Sequence, residues 1–364
     1  GLMSGTSGDG VDASIIRTNG INQYELIEDK FFEYDSKIYK DIHNLKEKIH
    51  KIEHLDKYKD EINNLERNIT IFHAEIIKQL NTSENIIVGF HGQTIYHNSD
   101  EKISRQLGNG KLLHQLTNKN IIFNFRKNDI LNGGQGAPLT PIFHHLISIK
   151  NEIRLPVCFL NIGGISNITI VKEKKNLSKL ISKDIGPGNC LIDNWVRKNS
   201  NKKFDQDGIL ASTGTKNEII FEQAQELYAN RNSKKKKSFD VNDFDISFVR
   251  GLNLQDGVAT LTDFTASTIA EELSLSLKEF KKNPLDVLIC GGGRKNKLLL
   301  KKIEENIPPN INLKLIDDYN INGDFIESQA FAFLAVRSLQ GLPISYPNTT
   351  GCKKPCLGGE LIKN

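Results

Sequence analysis

Apolar and polar residues alternate over Val11–Thr18 and Tyr24–Phe32, the period of half-buried strands. A long charged stretch follows, Ser36–Leu80, with its apolar positions at helical spacing. Ile86–Phe90 and Ile121–Phe125 are short apolar runs that read as buried strands. After the second, a loop at Asn132–Gly136 leads to a helix predicted over Pro138–Ile149, with proline in its first turn, where no N–H is needed. Arg154-Leu155-Pro156 breaks the chain, and Val157–Leu160 and Ile168–Val171 restart the strand pattern. Helices are predicted over Asn189–Arg197, Lys216–Ala229, Val258–Lys281 and Glu327–Leu339, the last leading into a Pro/Gly-rich end. Strands and helices alternating twice over predict an α/β protein of two domains, 1–153 and 154–340, with the segment 341–364 packing back on the first.

Glycine-rich turns fall where the apolar runs end. Gly1–Asp12 sets glycines, hydroxyls and two carboxylates between two apparent strands. Glycine backbone N–H groups can approach phosphate oxygens closely, Thr6 and Ser7 can add donors, and Asp9 or Asp12 can hold a hydrated Mg²⁺. The same residues would serve a plain reverse turn. Asn161–Asn167 repeats that chemistry between two further strands. Cys290–Asn296 follows Val287-Leu288-Ile289 and opens an amphipathic run from Lys295 to Ile303, a strand, a turn and a helix N-terminus suited to an anion or nucleotide. Neither GxxxxGK[ST] nor GxGxxG with a following acid is present, which disfavours P-loop and Rossmann readings and leaves a two-lobed ATP clamp.

Composition changes this picture little. A chain of 364 residues suits about two domains, and a net charge of +4 is not the footprint of a nucleic-acid binder. Lys234–Lys237 reads as a solvated loop. The five cysteines read as reduced packing residues; Cys352 and Cys356 have no second Cys or His pair at zinc spacing, so no metal role is expected there. No apolar run nears the roughly 20 residues that span a bilayer, and no signal peptide precedes Gly1, from which a cytoplasmic location is expected. The strand feeding the first loop is short, so some N-terminal sequence is expected to be missing. His50 and His54 lack the HExxH carboxylate and read as a solvated helix face, His144 and His145 as packing or surface residues. His91-Gly92-Gln93-Thr94 differs, because it ends an apolar strand, where open α/β sheets place ligand contacts.

Six motifs then occur in order: Met3–Asp12 (MSGTSGDGVD), His91–Thr94 (HGQT), Gly133–Leu139 (GGQGAPL), Asn161–Asn167 (NIGGISN), Asp184–Asn189 (DIGPGN) and Cys290–Gly293 (CGGG). From Leu2 to about Gly359 the chain closely resembles the anhydro-N-acetylmuramic acid kinases. The resemblance implies an acetate kinase/hexokinase/Hsp70/actin-like (ribonuclease H-like) fold, two lobes closing over MgATP in a central cleft. It implies a reaction in which water opens the 1,6-anhydro bridge while ATP phosphorylates O6, giving N-acetylmuramic acid 6-phosphate and ADP in cell-wall recycling. It also suggests a homodimer.

Asp184 matches the family's catalytic aspartate; without the resemblance it would read equally as a turn or capping residue. Gly5–Asp12, with Gly5, Thr6, Ser7, Gly8, Asp9, Gly10, Val11 and Asp12, would cradle the β/γ-phosphates, Asp9 facing the hydrated Mg²⁺. Gly163 and Gly164 would line the nucleotide, and Gly291, Gly292 and Gly293 would border the adenosine. Sugar contacts are expected from His91, Gln93, Thr94, Arg126, Asp129, Asn167 and Glu327, with Arg126 suited to the lactyl carboxylate. Glu327 reads equally as a first-turn helix acid. Gly8, Asn124, Lys234–Asp240 and Gly359 depart from the family pattern. The rival readings are another amino-sugar kinase, which needs no anhydro bridge, and an actin- or Hsp70-like nucleotide switch, which needs no sugar-facing base.

Overall fold

The computed structural model describes residues 1–80, 86–229, 238–280 and 283–363. Its strands are, in chain order, β1 Leu2–Ser4, β2 Gly10–Thr18, β3 Tyr24–Glu33, β4 Ile87–Asn98, β5 Ile103–Leu107, β6 Asn120–Phe123, β7 Val157–Ile162, β8 Ile165–Val171, β9 Ile181–Pro187, β10 Leu285–Cys290, β11 Ile311–Leu315 and β12 Glu360–Ile362. They form two sheets, and the chain divides into two compact units. The first comprises Gly1–Leu155, Val171–Ser182 and Asp324–Asn364; the second comprises Pro156–Ile170 and Lys183–Gly323.

In the first unit the sheet runs β12-β6-β4-β1-β2-β3, with β5 paired to β4. β1 and β2 are antiparallel, Leu2 opposite Ala13, whereas β4 runs parallel to both β1 and β6. In the second unit the order is β11-β10-β7-β8-β9, with β7, β10 and β11 parallel. Counted within its own unit, each sheet thus reads third, second, first, then two later parallel strands, with antiparallel β12 added at the edge of the first sheet. This repeated order is the ribonuclease H-like arrangement that the resemblance implies, met twice in one chain.

The helix Ser36–Lys48 forms because Asp35 caps it, accepting from the N–H groups of Lys37 and Ile38, and because Ile38, Ile42 and Leu45 share one face. That face and the helix Lys59–Gln79 bury Leu2, Val11, Ala13 and Phe90 in one core. The helix Ile326–Leu339 packs on β1, β2 and β4. Gly89 permits the approach, since a Cβ there would run into the Phe331 carbonyl.

Several expected boundaries move. The stretch Ser36–Leu80 is three helices, Ser36–Lys48, Glu53–Lys57 and Lys59–Gln79, because the chain leaves the helical region at Ile49 to bury that side chain. His50 and His54 close this turn: the His50 N–H donates to His54 Nδ1 at 3.2 Å. The helix expected from Pro138 starts at Pro141, and Val258–Lys281 becomes Leu254–Ser276, started early by the Asn253 cap. β6 stops at Phe123 because Asn124 takes φ +56°, a conformation that asparagine tolerates. Asn124 donates to Glu360 at 3.1 Å, where an aspartate would meet a like charge. Gly359 has φ +79°, and a Cβ there would press into Ile122. Lys234–Lys237 lies outside the described residues.

Candidate active site

The first glycine loop is the turn of the β1–β2 hairpin. Gly8, at φ +66°, donates to the Gly5 carbonyl at 3.2 Å. A Cβ on Gly8 would come 2.9 Å from Ile42 on the helix Ser36–Lys48, which accounts for glycine at that departure. Gly10 is equally constrained, as a Cβ would collide with the Phe32 carbonyl and the Phe31 ring. Val11 is fully buried and contributes packing. Thr6 and Ser7 are exposed, and the Ser7 hydroxyl donates to Asp9 at 2.6 Å.

Neighbours from three elements hold this loop. Gln93 donates from Nε2 to the Gly5 carbonyl at 2.9 Å, Lys46 donates from Nζ to Thr6 O at 2.6 Å, and the Tyr34 N–H donates to Asp9 O at 2.9 Å. The Tyr34 hydroxyl shares a hydrogen bond with Ser4 Oγ at 2.7 Å. Gln93, expected at the sugar, is fully buried; its amide N–H supports the first glycine loop, and its Oε1 has no hydrogen-bond partner among the described residues. Lys46 and Tyr34 were not singled out in the sequence, because one sits in a charged helix and the other just past the end of an alternating strand.

Acidic groups gather beside the loop. Burial pushes the Asp12 carboxyl up to about 8, and the nearby charges of Asp9, Glu327, Asp324 and Asp29 add to that rise. Glu327 lies in the first turn of Ile326–Leu339 and thus belongs to this acidic group. Asp324 joins it without any motif to announce it.

His91 was expected at a strand end; β4 runs on to Asn98, because Gln93–Asn98 pairs with β5, and His91 lies mid-strand. Its Nδ1 lies 2.7 Å from Gly92 O, and its Nε2 accepts from Arg126 Nε at 3.2 Å and Nη2 at 2.9 Å. The imidazole is therefore the neutral Nδ1–H tautomer. Burial, then the Arg126 charge, hold it well below its usual range. Arg126 also donates from Nη1 to Gly136 O at 2.8 Å, so histidine and loop together aim the guanidinium. Thr94 is half-buried and accepts from Gln106 at 3.2 Å.

Asp129 is fully buried, and its carboxylate accepts from the Gly136 N–H at 2.8 Å and from the Ser345 and Thr350 hydroxyls at 2.5 and 2.6 Å. It organises the loop whose Gly136 carbonyl accepts from Arg126. Asp129→Asn presents an amide N–H to one of these donors, and is expected to cost about 1–2 kcal/mol in urea unfolding.

In the second unit the Gly163-Gly164 turn joins β7 to β8. Its carbonyls accept from Gly188, Asn189 and Cys190 at the start of the helix Cys190–Asn199. Asp184 is on β9 and only 7 % exposed; its Oδ2 accepts the Phe239 N–H at 2.8 Å. Asn167 on β8 carries a buried Oδ1 with no donor among the described residues. Such an orphan acceptor is costly and marks a place where a ligand donor would be favoured.

The third glycine loop follows β10. The helix starts at Lys297 after a 3₁₀ turn at Gly292–Lys295, and Asn296 caps it by accepting from the Leu299 N–H. The expected N-terminus is thus partly satisfied by its own cap. Gly291 donates to Gly323 O at 3.0 Å, and Gly293 is hemmed in by Ile162, while a Cβ on Gly292 would meet nothing within 4 Å. Arg294 braces the loop through Asp317, at 2.7 and 3.0 Å; burial opposes ionisation of that carboxyl, but the guanidinium outweighs it and holds it below its usual range.

The whole chain, residues 1–364, matches the family described as anhydro-N-acetylmuramic acid kinase. The chain belongs to the anhydro-N-acetylmuramic acid kinase family. The relative of that name from Pelagibacter ubique (strain HTCC1062) is 53 % identical over 367 residues, covering 100 % of this chain and 98 % of its own length. Relatives of the same name from Zymomonas mobilis and Agrobacterium fabrum are 35 % and 33 % identical, covering 99 % and 100 % of this chain and 98 % of each relative. Among solved structures, an activator of 2-hydroxyisocaproyl-CoA dehydratase from Clostridium difficile with bound ADPNP shares 11 % identity at TM-score 0.40, covering 94 % of this chain and 95 % of that one. Membership of the anhydro-N-acetylmuramic acid kinases makes this chain an ATP-dependent kinase of peptidoglycan recycling. Among the described residues no helix is long and apolar enough to cross a membrane.

Proposed function

We propose that this enzyme opens the 1,6-anhydro bridge of anhydro-N-acetylmuramic acid with water and phosphorylates O6, with Asp184 as the base. The observation that carries this is a carboxylate on the ordered strand β9, oriented by one backbone N–H and beside the glycine turn that the family motif identifies. Asp184 takes a proton from water as the water oxygen bonds to the anomeric carbon. The C1–O6 bond breaks, O6 leaves as an incipient alkoxide and attacks the γ-phosphorus, and the bond to the β-phosphate bridging oxygen breaks to release ADP.

In this reading the Gly5–Gly10 backbone binds the β/γ-phosphates, and the open face of Gly292 admits the adenosine. Arg126, aimed by His91 and Gly136, pairs with the lactyl carboxylate, and Asn167 Oδ1 accepts from a sugar N–H or O–H. Asp9, Asp12, Asp324 and Glu327 suit Mg²⁺, because a cation would offset the burial, and relieve the added repulsion, that raise the Asp12 carboxyl. Bound there, Mg²⁺ would neutralise charge on the transferring phosphoryl group. A soluble ATP donor and reduced cysteines fit a cytoplasmic setting.

ADP release is measured with MgATP and the anhydro sugar, with N-acetylglucosamine as the competitor. Turnover specific to the anhydro sugar is expected; turnover on N-acetylglucosamine alone would make this a general amino-sugar kinase, and none on either a nucleotide switch. Arg126→Lys keeps the charge but loses the planar fork, so KM for the anhydro sugar is expected to rise about 10-fold with KM for ATP unchanged.

A further inference from the structure

Three side chains that the reaction does not use converge in the first unit. Asp129, Cys352 and Cys356 each offer one ligand atom, and these atoms lie within 4.8 Å of one another. All are buried, Asp129 at 0 %, Cys352 at 2 % and Cys356 at 3 % exposure. The sequence shows only the two cysteines four positions apart; the fold supplies a carboxylate more than 200 residues away in the chain. Tetrahedral zinc, with ligands at roughly 2.0–2.3 Å, sets its donor atoms about 3.5–4 Å apart, so the cluster needs only a small contraction.

The frame around the cluster is built. Cys356 donates its N–H to Ser345 O at 3.0 Å, Lys353 donates to Asn132 O at 3.1 Å, and Gln135 donates to Thr350 O at 2.9 Å, which fixes the cysteine-bearing loop against the segment after Asp129. The Asp129 carboxylate is held by one backbone N–H and two hydroxyls, all neutral donors, and among the described residues no lysine or arginine pairs with it. A buried carboxylate without a counter-charge is an expensive arrangement that a cation would offset.

We propose that Asp129, Cys352 and Cys356 form a structural site for a thiophilic divalent cation of the zinc type, with water as the fourth ligand. Two sulfur donors exclude Mg²⁺ and Ca²⁺, which take oxygen. Binding exchanges two S–H protons for two metal–sulfur bonds, releases both protons to solvent and transfers no electron. The ion ties the C-terminal segment to the loop whose Gly136 carbonyl aims Arg126.

The test uses the full chain, reduced, stripped with a chelator and titrated with Co²⁺ and then Zn²⁺. The expected result is a thiolate-to-cobalt charge-transfer band that saturates at one equivalent and is bleached by one equivalent of Zn²⁺. Cys352→Ser and Cys356→Ser abolish the band, and Asp129→Asn weakens cobalt binding at least 10-fold. Absence of the band in the unaltered chain, its retention at full strength in both serine variants, or a Cys352–Cys356 disulfide formed in air by a chain that takes up no metal overturns the proposal. The titration of the unaltered chain decides even where a variant fails to fold.

Discussion

Asp184→Asn is expected to lower kcat on the anhydro sugar by about 10³-fold, within the range that a positioned general base contributes, while leaving ATP affinity within about 3-fold. Asparagine keeps the shape and can turn its carbonyl oxygen to the Phe239 N–H, so the 2.8 Å bond that orients the side chain survives and β9 stays in place. What it cannot do is take the proton of the attacking water. Steady-state kinetics with the anhydro sugar and nucleotide binding by calorimetry separate the two quantities. A fall in kcat below 10-fold would remove Asp184 from the base role, and a matching loss of ATP affinity would make it a residue that positions the nucleotide.

The parts of this fold that the sequence announces are those governed by local rules. Alternation over Val11–Thr18 and the apolar run Val157–Leu160 are visible because burial of one or both strand faces sets their composition. The capping of Ser36–Lys48 by Asp35 and the positive φ of Gly8 and Gly291 are local requirements and can be read in the same way. What stays hidden is set by distant partners. That the Gln93 amide reaches Gly5, 88 residues away in the chain, is not legible in its motif. Nor is the enclosure of Asp129 by Ser345 and Thr350, more than 200 residues on. Lys46, Tyr34 and Asp324 carry no motif at all, since their importance lies in what the sheet and the last long helix bring beside the first loop. Edge strands such as β5 and β12, five and three residues long, are too short to show a periodicity.

Asp12→Asn is expected to stabilise the metal-free, ATP-free enzyme most at alkaline pH. In the native state burial, then Asp9, Glu327, Asp324 and Asp29, raise the Asp12 carboxyl from its ordinary 3.8 to about 8. Between these values the folded chain binds a proton that the unfolded chain has released, so unfolding becomes easier as pH rises. The stabilisation associated with the protonated acid is present below about pH 4, declines as pH climbs and is lost above about 8. The interval from 3.8 to about 8, at ~1.4 kcal/mol per pH unit, sets a ceiling of about 6 kcal/mol. Titration of the neighbouring acids and residual solvent reduce this to roughly 2–3 kcal/mol. Urea unfolding at pH 5 and pH 9 should therefore show the wild-type chain losing stability across this interval and the asparagine variant losing much less. Millimolar Mg²⁺ with ATP should recover part of the wild-type loss at pH 9, because a cation among these carboxylates makes ionisation of Asp12 favourable, and should do little for the variant. Equal pH slopes in the two proteins would show that Asp12 is solvated in the native state and that the acidic group does not store this repulsion.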